Sequence, residues 1–265
     1  APADAGPAAL AGSIGFETVT PADLLLPGRN FGGFLSGTYD TNSGTYIAGA
    51  SAYGIVNGFE YLGYVNYSNG GNFTAGSGAV MPGTGVNLLS GLGKIAYESP
   101  EGHRFQLSHE QVRDDALRPY RANFYLNVGA EPVLRRYEFD RRNTVFTYEM
   151  TTPVGMWDPK VVLAYSESRV KTPVYNRSTG AILAPAIGTT GGFNGKAENK
   201  FAFDLGTVTA GFDFYADRAK LDYNAGASAE FPEERASNIG AYAQARLEPL
   251  DRVRLSLGGR FDNQW

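Results

Sequence analysis

Few side chains in this sequence are equipped for covalent or redox chemistry. It holds no Cys and only two His, His103 and His109, so no thiol nucleophile, disulfide framework or Cys-ligated zinc can be built. Neither G-x-S-x-G nor H-E-x-x-H occurs, which removes the hydrolase elbow and the zincin helix. His103 falls in an expected turn. His109 is a potential metal ligand in its neutral form, but it alternates in phase with Phe105 and Leu107 and so shares an apolar face. The densest chemistry lies over 114–135, where Arg118, Tyr120, Arg121, Phe124 and Tyr125 gather beside Arg113, Asp114 and Asp115. Guanidinium groups fork onto carboxylates and stack on rings, so this stretch suits an anionic aromatic ligand. It equally suits a solvated loop with an internal Arg–Asp pair and rings packed on its rim. The Gly-rich run Gly188–Gly195 does not open a helix, so it reads as a mobile loop rather than a phosphate cradle. Asn66, Asn72 and Asn176 each begin an N-x-S/T triplet, read as chance matches. No catalytic residue, metal site or cofactor is expected.

The elements that would position these residues are strands. Among 265 residues there are 34 Gly, 16 Tyr and 16 Phe, while charged residues make up only 19%. Gly is thus roughly 13%, against about 7% on average. An apolar content of 43% excludes disorder, and a net charge of −4 offers no basic footprint for nucleic acid. No window of 18 uncharged apolar residues exists, so no membrane helix is expected. Helical periodicity is nearly missing, and period-two alternation recurs. In Thr207–Asp217, Val208, Ala210, Phe212, Phe214 and Ala216 oppose Thr209, Gly211, Asp213, Tyr215 and Asp217. Eleven strands are predicted, near 31–41, 45–55, 58–68, 87–98, 103–113, 136–150, 159–170, 197–205, 207–217, 236–247 and 252–263. After a tight first hairpin, short links alternate with long ones at 69–86, 114–135, 171–196 and 218–235. Long loops kept at one end, with two-faced strands of about 9–11 residues and aromatics such as Tyr97, Tyr148, Trp157 and Tyr165 near their ends, describe an outer-membrane barrel. Two alternatives share the alternation: a soluble β-rich binding or adhesion module, and a small self-closing porin.

Several passages resemble TonB-dependent outer-membrane receptors. Gly6–Thr18, reading G-x-x-A-L-x-G-x-I-x-x-x-T, is similar to the end of that family's plug domain, and Pro21–Gly28 to the linker that follows. Phe31–Ser43 resembles the first barrel hairpin, and Glu60–Phe73 the third strand and its loop. His109–Phe124 is similar to the strand-to-loop passage of haem and siderophore receptors; Ile239–Leu250 with Val253–Asp262 resembles a mid-barrel hairpin. The resemblance implies plug end and linker over 1–30 and the N-terminal half of a β-barrel over 31–265, about 11 strands of an expected 22. It implies a bacterial outer-membrane location and uptake of an iron chelate, siderophore or haem, energised by the TonB complex through a plug mostly missing here. Outer-membrane lipid and the chelate are the expected partners, and nucleic acid is not. A haem-ligating role for His109 is disfavoured by its phase with lipid-side residues. Two open sheet edges would leave amides unpaired in lipid, so insertion of this chain as a monomer is not expected.

Overall fold

The computed structural model describes residues 2–6, 17–119, 133–223, 233–250 and 252–265. They form one antiparallel sheet of eleven strands in sequence order, β1 to β11. The strands are β1 Phe31–Asp40, β2 Thr45–Val56, β3 Phe59–Gly70, β4 Val86–Glu98, β5 His103–Pro119, β6 Leu134–Met150, β7 Pro159–Tyr175, β8 Ile182–Phe203, β9 Gly206–Tyr223, β10 Glu234–Leu250 and β11 Val253–Gln264. A single helical turn, α1 (Pro21–Leu24), precedes them. No described helix is long and apolar enough to cross a membrane, which says nothing of crossing by strands.

Turn chemistry places the hairpins. Asn57 and Gly58 both take positive φ, as the tight two-residue hairpin between β2 and β3 requires. The β1–β2 turn is clamped by Asp40, whose carboxylate accepts from the backbone N–H of Asn42 at 3.1 Å and of Ser43 at 3.2 Å. Links at one end stay short: 57–58, 99–102, 151–158, 204–205 and 251–252. At the other end they span 71–85, 120–133 and 224–233.

One long link is corrected. Residues 171–196 are not a loop: β7 continues to Tyr175, β8 starts at Ile182, and only 176–181 turn. Asn176 caps that turn, its Oδ1 accepting from Ser178 at 2.9 Å and Thr179 at 3.0 Å. The glycines of 188–195 lie inside β8, and at Gly191, Gly192 and Gly195 a side chain would collide with neighbouring backbone. A Cβ on Gly191 would stand 2.7 Å from the Ser166 carbonyl oxygen, and one on Gly195 2.8 Å from that of Val162. Close strand packing, not loop freedom, asks for glycine there. For the same reason of strand extension, β5 reaches Pro119, and Asp114, Asp115 and Arg118 are strand residues rather than loop residues.

The two faces differ in the reverse sense of a water-soluble sandwich. On one face Lys94, Asn238 and Gln244 are 3%, 1% and 2% exposed; on the other, Phe212, Leu257 and Phe261 are 52%, 63% and 76% exposed. Register carries the apolar face as a row from Val56 and Phe59 through Tyr97, Phe105, Tyr148 and Val161 to Phe212, Ala241 and Phe261. Ring contacts knit it, Phe59 with Tyr97 at 4.6 Å and Phe105 with Tyr148 at 5.0 Å.

Candidate functional site

The polar face is identified as the inner one because the N-terminal segment lies on it. Near the start of the chain the Ala3 N–H donates to Gln244 Oε1 at 2.8 Å, and Asp4 pairs with Arg246 at 2.8 Å. Farther on, Lys94 Nζ donates to the carbonyls of Thr18 and Val19 at 2.7 and 2.8 Å. The linker then forms α1, opened by a reciprocal cap in which the Thr20 N–H and hydroxyl donate to Asp23 at 2.7 and 2.8 Å. Those two bonds, the backbone N–H first, hold the Asp23 carboxyl below the usual carboxylate range. The segment therefore touches both ends of the strand order, β10 and then β2–β4.

Between those docks the inner wall is charged and internally paired. Arg104 meets Glu60 at 2.8 Å and Glu149 at 3.5 Å, and Glu149 meets Lys160 at 3.2 Å. Arg260 forks onto Asp213, at 2.7 and 2.5 Å, and lies over the Tyr242 ring at 5.6 Å. Tyr242 donates to Glu198 at 2.6 Å, and Asn238 to Asp262 at 3.0 Å. A shallow inner cleft of about 440 Å³ is lined by Arg141, Ser166, Ser168, Thr190, Asn194 and Asp217, among others. Its small and hydroxylated lining leaves room against the wall for a polar segment or solute.

At the long-loop end, Arg118 is held by three groups. Its guanidinium meets Asp114 at 2.7 Å and the carbonyls of Gly83 and Gly85 at 3.2 and 2.5 Å. It thus ties the end of β5 to the link after β3, realising the internal Arg–Asp pair. Asp115 pairs instead with Arg136 at 2.5 Å, and Arg113 with Asp140 at 2.9 Å. Of the five residues singled out in the sequence, Tyr120, Arg121, Phe124 and Tyr125 lie outside the described residues. Arg135 and Tyr175 were not singled out, yet Arg135, almost wholly buried, stands over the Tyr175 ring at 5.2 Å. Their separation in sequence carries no signal; only strand pairing joins them.

His109 falls on the face its phase predicts, whereas His103, expected in a turn, opens β5. His109 Nδ1 meets the Thr144 hydroxyl at 2.8 Å on the outer face, and His103, first residue of β5, meets the Tyr148 hydroxyl at 3.0 Å. Among the described residues no cluster of three or more His, Asp or Glu is arranged to hold a metal ion.

No family model matches the chain. The haem transporter BhuA of Brucella ovis is 34% identical over 268 residues, which cover 99% of this chain and 39% of that protein. The same figures hold for BhuA of Brucella abortus. The chain thus spans about 39% of the length of these curated relatives. Among solved structures, the FrpB iron transporter of Neisseria meningitidis superposes with a TM-score of 0.77 at 21% identity, over 93% of this chain and 43% of that one. HasR of Serratia marcescens, a hemophore receptor solved with its hemophore HasA and haem, gives 0.77 at 20% identity, over 93% and 36%. These superpositions establish the antiparallel fold common to such receptors; the relatives are transporters and receptors, not enzymes.

Proposed function

We propose that this chain, which belongs to the TonB-dependent outer-membrane receptors, supplies barrel wall and outer loops to a receptor that takes up an iron chelate across the bacterial outer membrane, haem being the favoured chelate. The observation that carries this reading is the inverted sheet. Its apolar rows are exposed and its ion pairs are buried, which stabilises a protein only where one side meets hydrocarbon and the other an aqueous or protein-filled lumen. The relatives' names supply the chelate: BhuA is a haem transporter, and HasR was solved with haem.

In this reading residues 1–30 are the end of a plug with its linker, and 31–265 line the lumen as the first part of the barrel. Lys94, Gln244 and Arg246 hold the plug end. Ligand binding is assigned to Arg118, Tyr120, Arg121, Phe124 and Tyr125, of which Arg118 belongs to the end of β5. The side chains bind and orient; no bond is made or broken, and no enzyme activity is assigned. The chain spans about 39% of the length of its curated relatives; coupling to the TonB complex is assigned to the full-length receptor, and this chain alone is expected not to restore uptake.

The test is growth of a receptor-null strain on haem, or on a ferric siderophore, as sole iron source. Full-length receptor should restore growth on haem, and this chain alone on neither. Growth with the chain alone, or no growth on either source with the full receptor, overturns the reading. Replacing Arg121, Phe124 and Tyr125 by Ala should raise the haem concentration needed while leaving receptor abundance unchanged.

A further inference from the structure

We propose that the outer face of β5 to β10, just beyond its apolar rows, is a binding surface for the anionic phosphate headgroups of outer-leaflet lipid; this rests on the membrane-spanning reading above. On these strands the outward side chains turn from apolar to charged within a few residues. Along β7 they run Leu163, Tyr165, Glu167, Arg169, and along β9 Phe214, Ala216, Arg218, Lys220. Register gathers the charges into two rows. One holds Arg142, Glu167, Arg218 and Arg235; the next holds Arg113, Asp140, Arg169 and Lys220. Six cations thus face two carboxylates within these rows, in a chain whose net charge is −4; two of the six meet carboxylates just outside them, Lys220 with Asp222 and Arg235 with Glu233, both at 2.8 Å.

Both carboxylates are occupied. Asp140 accepts from Arg113 at 2.9 Å and Arg142 at 2.8 Å, and Glu167 accepts from the Tyr165 hydroxyl at 2.8 Å. The exposed guanidinium groups of Arg169 and Arg218 make no ion pair or hydrogen bond among the described residues. The bias is confined to this level. One row farther out the charges are Asp115, Glu138, Lys171 and Asp222, an acidic excess. Open water gives no reason for cations to crowd only where the apolar face stops. A headgroup layer does, because Arg forks onto phosphate oxygens and an anionic lipid surface attracts nearby cations.

The test uses the full-length protein with vesicles of phosphatidylcholine alone or with phosphatidic acid, followed by native mass spectrometry of retained lipid. Wild type should float with both vesicles and retain phosphatidic acid in several-fold preference. Arg169→Gln with Arg218→Gln should cut that preference by roughly tenfold, while Arg29→Gln with Arg252→Gln, away from the surface, should not. Flotation on both vesicles with no preference, or a preference that survives the first pair, overturns this proposal alone. Loss of the preference to millimolar inorganic phosphate overturns the lipid assignment in favour of a free-phosphate site. Failure to float on either vesicle overturns the membrane reading and this proposal with it.

Discussion

Lys94 shows how much of the inner face rests on single side chains. Its ammonium, 3% exposed, donates to two linker carbonyls. Lys94→Met would leave both carbonyls without their donor and is expected to cost about 2 kcal/mol. The urea midpoint should fall, and residues 17–24 should become open to protease. Asp23 acts on the same linker through pH. Its carboxyl is held below the ordinary range by the Thr20 N–H and hydroxyl, so the cap is present above the unfolded-state pKa and is lost as pH falls through the lowered one. The protection of the Thr20 amide, taken relative to its intrinsic exchange rate at each pH, should therefore fall on acidification through the carboxylate range, and Asp23→Asn should abolish that dependence. Neither contact was read from the sequence, in which Pro21–Gly28 is only a linker. A lone Lys in a strand resembles any solvated residue until a partner many residues upstream is brought against it.

At the scale of elements, alternation and turn residues located all eleven strands, and the misjudged ones were misjudged in length. Asn-Gly at 57–58 marks its hairpin because both residues must take positive φ. The run through β8 misled because glycine serves two ends, freedom in a loop and close approach in a sheet. Gly191→Val separates them. With the Ser166 carbonyl oxygen only 2.7 Å from the new Cβ, a strand position should lose about 2 kcal/mol, read from the urea midpoint of protein folded in vesicles. A neutral result would return the segment to a loop. The ends of β5, β7 and β9 extend beyond their predicted limits because charged residues there still pair across strands, such as Lys171 with Glu138 at 3.2 Å.

For the whole molecule, the inverted faces make the strongest prediction. Phe212 stands mid-strand on the exposed apolar face, so Phe212→Arg should cost about 2–4 kcal/mol in a bilayer. Measured in vesicles by denaturant titration, a cost near zero would argue for water on that side. Alternation in the sequence by itself determined that each strand has an apolar and a polar side and that strands pair with their sequence neighbours, because side chains on a strand point alternately to opposite faces and short links leave no other partner. Only the tertiary structure decided which side is inner, which charges meet, and that 188–195 is sheet. Those depend on contacts between residues far apart in sequence, Ala3 with Gln244, Thr18 with Lys94, Asp213 with Arg260, and no local pattern encodes a pairing whose two halves lie on different strands.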